Sequence, residues 1–104
     1  ERKLQQERAS ELRTLLSEAE IPYIDSVTHI VPVLVGDPVL CKEVSDRLLG
    51  QFGMYIQPIN YPTVPRGTER LRITPGPLHS SEMLKELVSA LSKIWSEIKL
   101  PRAA

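Results

Sequence analysis

Leucines and an alanine recur at helical spacing through residues 1–20. Leu4, Leu12, Leu15, Leu16 and Ala19 share one side, and Glu, Arg, Lys and Gln cover the rest. This pattern predicts an amphipathic helix with a solvated polar face, ended by Pro22. The pattern then changes. His29-Ile30-Val31-Pro32-Val33-Leu34-Val35 is short and β-branched, predicting a strand with an edge or bulge at Pro32, which has no N–H for a ladder. Gly36-Asp37-Pro38 is a helix start, and Cys41, Val44, Leu48 and Phe52 follow at helical spacing until Gly53 closes the helix. Met54-Tyr55-Ile56-Gln57 is expected as a second strand, 58–67 as a stiff loop and 70–74 as a third strand. A final helix begins near Ser80 or Ser81, with Glu82 in its first turn. Its stripe is Leu84, Leu87, Val88, Leu91, Ile94, Trp95 and Ile98, and Pro101 stops it. The order predicts a small α+β two-layer domain: a mainly antiparallel sheet covered by helices on one face.

Residues 60–79, NYPTVPRGTERLRITPGPLH, hold four of the nine prolines. Period-two alternation sends Arg70, Arg72 and Thr74 to one face of the third strand and Leu71 and Ile73 to the other. Prolines stiffen the flanking loop by fixing φ and restricting the preceding residue. A stiff loop beside arginines suits an anion site, although on pattern alone a solvated strand face is the commoner reading.

Composition narrows the partners. Lys plus Arg equals Asp plus Glu, at 13 each, which gives no support for binding nucleic acid or an anionic membrane. The longest apolar run, near residues 30–35, is too short to span a bilayer. A single cysteine, Cys41, excludes an internal disulfide framework, fits a reducing compartment and lies on an apolar stripe, where a buried inert thiol is expected. His29 and His79 stand far apart, read as structural residues and make no metal site. The chain opens inside a charged helical pattern without an initiating methionine, as expected of a fragment.

The runs HIVPVLVGDP (29–38) and INYPTVPRGTERLRITPGPLH (59–79), with the closing helix through Ile94-Trp95, resemble the C-terminal domain of the 5-aminolevulinate synthases. These form a branch of the α-oxoamine synthases, fold-type I pyridoxal-phosphate enzymes. The resemblance implies that residues 1–104 are the small C-terminal domain of a longer enzyme, with residues 1–20 leading in from a large domain. It implies a homodimeric parent that condenses glycine with succinyl-CoA on pyridoxal phosphate. CoA and carbon dioxide would leave, and 5-aminolevulinate would form for tetrapyrrole and haem biosynthesis.

By the same resemblance, Arg72 matches the arginine that grips the glycine carboxylate. A planar guanidinium suits this, since two parallel charge-assisted hydrogen bonds fix orientation as well as position. Thr63 matches the threonine that hydrogen-bonds the far carboxylate of the succinyl group; without the resemblance it would only satisfy a turn. Arg70 has no assigned substrate role and is expected in a surface or interface ion pair. The lysine that anchors the family's cofactor would lie upstream. Lys3, Lys42, Lys85, Lys93 and Lys99 all fall on predicted helices, and none has an apolar pocket context that would lower its pKa for imine chemistry. No catalytic residue is therefore expected within the chain, which should be inactive alone.

Two rivals stand beside this reading. A sister acyltransferase using another amino acid or acyl-CoA would share Arg72, but a long acyl tail has no carboxylate to meet Thr63. A non-catalytic folding or interaction domain is the other. Ending soon after the last helix favours a bacterial cytoplasmic source over a mitochondrial matrix one.

Overall fold

The structure, a computed structural model, describes residues 2–24, 30–60, 63–75 and 80–102. Its elements run α1 (Arg2–Glu18), β1 (Val31–Leu34), α2 (Pro38–Phe52), β2 (Gln57–Ile59), β3 (Arg70–Ile73) and α3 (Ser81–Glu97). The strands form one antiparallel sheet in the order β1-β3-β2, so the last strand in sequence is the middle one in space. Register pairs Pro32 and Gln57 with Arg72, and Leu34 and Ile59 with Arg70. The expected α+β plan is the observed one.

The core lies on one side of the sheet. Val31, Val33, Leu71 and Ile73 project into it and meet Leu12 and Leu16 of α1, Val44 and Leu48 of α2, and Leu84, Leu91, Ile94 and Trp95 of α3. The stripe predicted for α3 is buried except Ile98, which is half-buried, while the α1 stripe also includes the fully buried Ala9. The opposite sheet face carries half-buried Pro32, Leu34, Ile59 and Arg70 and exposed Gln57 and Arg72.

Pro32 is accommodated as the edge reading required. Its carbonyl accepts from Ile24 N–H at 2.8 Å, so the missing donor faces outward from β1 rather than toward β3. The second strand is displaced from its expected place: β2 is Gln57–Ile59, not 54–57, and Pro58 belongs to it rather than to the loop. The cause is competition for backbone groups. Met54 N–H closes α2 on Leu48 O at 3.0 Å, and Ile56 O accepts from Ser45 Oγ at 2.8 Å. These bonds commit residues 54–56 to α2, and pairing with β3 starts only at Gln57. Lys99 also differs from expectation, lying past α3 with φ 57° rather than on the helix. The chain there is strapped down: Trp95 Nε1 donates to Pro101 O, and Arg102 donates to Ala19 O and to Ser92 and Ser96.

Asp37 caps α2 as its sequence predicted, its carboxylate accepting from Leu40 N–H at 3.0 Å ahead of Pro38. Gly53 closes the helix at φ 69°. Asp37→Ala should lower stability by about 1 kcal/mol. Asp37→Asn, which keeps the acceptor, should cost a few tenths at most. Urea unfolding midpoints check both.

Candidate substrate-binding site

Where β3 leaves the sheet, a cleft of about 590 Å³ opens between the 54–57 segment and the first turns of α3. Ile73, Leu84 and Leu87 form its apolar floor, and Tyr55 and Met83, 68% and 49% exposed, stand on its rim. Arg72, Thr74, Gln57 and Glu86 supply its polar groups. The arrangement follows from the sequence locally. Leu71 and Ile73 anchor β3 in the core, and alternation then forces Arg72 and Thr74 outward.

Arg72 is exposed, and no hydrogen bond or ion pair among the described residues holds its guanidinium. By contrast, the other arginine of β3 is engaged: Arg70 Nε donates to Thr68 O at 2.9 Å. Arg47 is likewise held, by Glu43 at 2.6 Å and Glu97 at 3.0 Å, with Glu43 the main cause of a pKa above the ordinary arginine value. The cleft thus presents an uncommitted planar cation above an apolar floor, an arrangement that can take a small carboxylate in two parallel bonds.

Thr63 is placed elsewhere. It is exposed in a turn, with its N–H on Asn60 O at 3.0 Å, and it does not line the cleft that holds Arg72. His29 and His79 lie outside the described residues, as do Tyr61 and Pro62 of the loop. Among the described residues no group of three or more His, Cys, Asp or Glu could hold a metal ion. No described helix is long and apolar enough to cross a membrane.

No lysine lines the cleft. Lys3, Lys42, Lys85, Lys93 and Lys99 are exposed. Lys42 is paired with Asp46 at 2.9 Å, and that hydrogen bond raises its pKa, the direction opposite to that of an amine tuned for imine formation. Lys93 lies 5.8 Å from the centre of the Phe52 ring. The cleft therefore offers Arg72 as a group that can take a carboxylate.

Two features escaped the sequence. Gln57 was masked by the misplaced second strand, and only the register with Arg72 reveals it. Glu69 is 1% exposed, although a charged residue beside a turn carries no signal of burial.

Comparison with known proteins decides the family. The model for aminotransferase class I and II matches residues 1–91. The chain belongs to that family. A 5-aminolevulinate synthase of Rhizobium meliloti (strain 1021) is 56% identical over 103 residues, which are 99% of this chain and 26% of that protein. A mitochondrial 5-aminolevulinate synthase of Emericella nidulans is 47% identical over 104 residues, all of this chain and 16% of that protein. The chain thus spans 26% and 16% of the lengths of these two relatives. Among solved structures, one of SPT with a PLP internal aldimine superposes with a TM-score of 0.82 at 19% identity, over 95% of this chain and 26% of that one. The 8-amino-7-oxononanoate synthase of Francisella tularensis superposes at 0.78 and 14% identity, over 95% and 28%. These likenesses establish a shared fold.

Cys41 is fully buried, and desolvation lifts its pKa from 9.0 to about 11; a backbone hydrogen bond from Ile59 opposes the rise and the Glu69 carboxylate adds to it. The thiol should resist alkylation at pH 8 until denaturant is added, as mass spectrometry of the Cys41 peptide would show. Because the folded state holds this proton more tightly, Cys41 leaves stability unaffected below pH 9 and lowers it as pH rises from 9.0 through about 11.

Proposed function

We propose that the chain is the C-terminal domain of a 5-aminolevulinate synthase and that it supplies the substrate-carboxylate contacts of the longer enzyme. In this reading glycine condenses with succinyl-CoA, CoA and carbon dioxide leave, and 5-aminolevulinate enters tetrapyrrole and haem biosynthesis. The single observation that carries it is the uncommitted Arg72 guanidinium in an apolar-floored cleft. The identity of more than half with a relative of that name favours glycine and succinyl-CoA over the substrates of sister acyltransferases.

The roles follow from chemistry. Arg72 takes the glycine carboxylate through two N–H donors, which fixes the direction of the bonds at the substrate's α-carbon. Positioning of that kind selects which bond at the α-carbon breaks, so Arg72 acts on reaction choice as well as on affinity. Thr63 meets the far carboxylate of the succinyl group from its separate turn. Pyridoxal phosphate would supply the electron sink for the α-carbon. By the resemblance, its anchoring lysine would belong to a domain upstream. On its own the chain would be inactive. A homodimeric enzyme of the bacterial cytoplasm completes the reading, with the mitochondrial matrix as the alternative suggested by the fungal relative's name.

Variants of the longer enzyme test this. Arg72→Leu should change stability by no more than about 0.5 kcal/mol, as for other exposed sites. It should weaken glycine binding on the order of 100-fold, from two charge-assisted bonds at about 1.5 kcal/mol each. Arg72→Lys should recover only part of the loss, because an ammonium supplies charge without the fork. Spectroscopic glycine titration reads both. A leucine variant that binds glycine as tightly as the parent contradicts the assignment.

A further inference from the structure

Glu69 is the only charged side chain in the core among the described residues. A carboxylate taken from water costs several kcal/mol unless hydrogen bonds replace its hydration. Glu69 Oε1 accepts from Gly67 N–H at 3.0 Å, reaching back two residues to hold a glycine whose φ is 87°. Its own carbonyl accepts from Val35 N–H and Gly36 N–H, both at 2.9 Å, which ties this point to the exit of β1. Thr68 closes the same turn, its N–H on Pro65 O at 3.1 Å and its hydroxyl on that oxygen at 2.5 Å. The turn is tight against Gly36, where a Cβ would lie 3.4 Å from Gly67 O.

Thr63 stands between two fixed points. Asn60 O holds its N–H on one side, just after β2, and the 65–69 turn begins two residues beyond it. Of the bonds that fix this second point, only the one from Gly67 depends on a buried charge.

We propose that Glu69 is a positioning residue for acyl-CoA selection: by holding Gly67 N–H it sets the 63–68 turn so that Thr63 meets the far carboxylate of a short dicarboxylic acyl-CoA. This rests on the role given to Thr63 above. It accounts for a buried carboxylate that does not line the Arg72 cleft. A purely structural latch would move stability and leave substrate preference alone.

The test uses the longer enzyme and compares kcat/KM for succinyl-CoA and butyryl-CoA in Glu69→Asp, Glu69→Gln and Thr63→Val. Glu69→Asp keeps the charge but shortens the reach by one methylene, leaving Gly67 N–H unheld. It should cut the preference for succinyl-CoA about tenfold, the size of one lost hydrogen bond to a charged group. The loss should show as a raised KM for succinyl-CoA with glycine KM unchanged. Glu69→Gln keeps both reach and acceptor and should retain most of the preference. Thr63→Val should lose it. If Thr63→Val loses the preference and Glu69→Asp keeps it, Glu69 is structural only and the proposal is overturned, with the role of Thr63 intact. If Thr63→Val keeps it, the reading of Thr63 fails and the proposal falls with it. A glutamine variant as impaired as the aspartate one would overturn positioning through this bond. Should Glu69→Asp not fold, hydrogen exchange at Gly67 in the unmodified enzyme decides: protection supports the latch, and exchange at the rate of a solvated amide overturns it.

Discussion

The burial of Leu71 and Ile73 fixes everything that β3 presents to solvent. Each side chain contributes about 1.5–3 kcal/mol on leaving water, and both are at most 4% exposed. A register slip of one residue would turn them out and bury Arg70 and Arg72 in their place. Two apolar anchors therefore hold one cation outward. Because β3 has a partner on each side, the ladder secures that orientation along both edges.

The same constraint separates the two arginines. Arg70 is spent on the carbonyl of Thr68, within the turn that Glu69 stabilises. Arg72, one period further, has passed that turn and meets no partner among the described residues where the strand ends at the cleft. An uncommitted guanidinium is pre-organised for an external anion, since no internal bond has to break first. Under the proposed reaction, glycine selection lies on the strand and acyl selection on the turn, so each could vary while the other stayed fixed.

Much of this was legible beforehand, for physical reasons. Asp37-Pro38 and Gly53 bound α2 because caps are local chemistry, and the α3 stripe is buried because 3.6-residue periodicity is hard to satisfy any other way. Alternation, which needs only its two neighbours, turned Arg72 outward, and its substrate role came from the resemblance alone. β2 was placed three residues early, because the bonds that hold Met54 and Ile56 come from Leu48 and Ser45 on another element. Glu69 was missed for the same reason: its burial depends on the exit of β1, some thirty positions away. The separation of Thr63 from the Arg72 cleft is likewise a tertiary fact that spacing cannot report.

The central claim is that Arg72 is the carboxylate clamp of a site whose amine anchor lies in another domain. A crystal structure of the longer enzyme with cofactor and glycine would test it most directly. The account predicts two Arg72 N–H donors on the glycine carboxylate at about 2.7–2.9 Å, with none of Lys3, Lys42, Lys85, Lys93 or Lys99 at the cofactor. A glycine carboxylate held wholly by other groups, with Arg72 left in solvent, would contradict it.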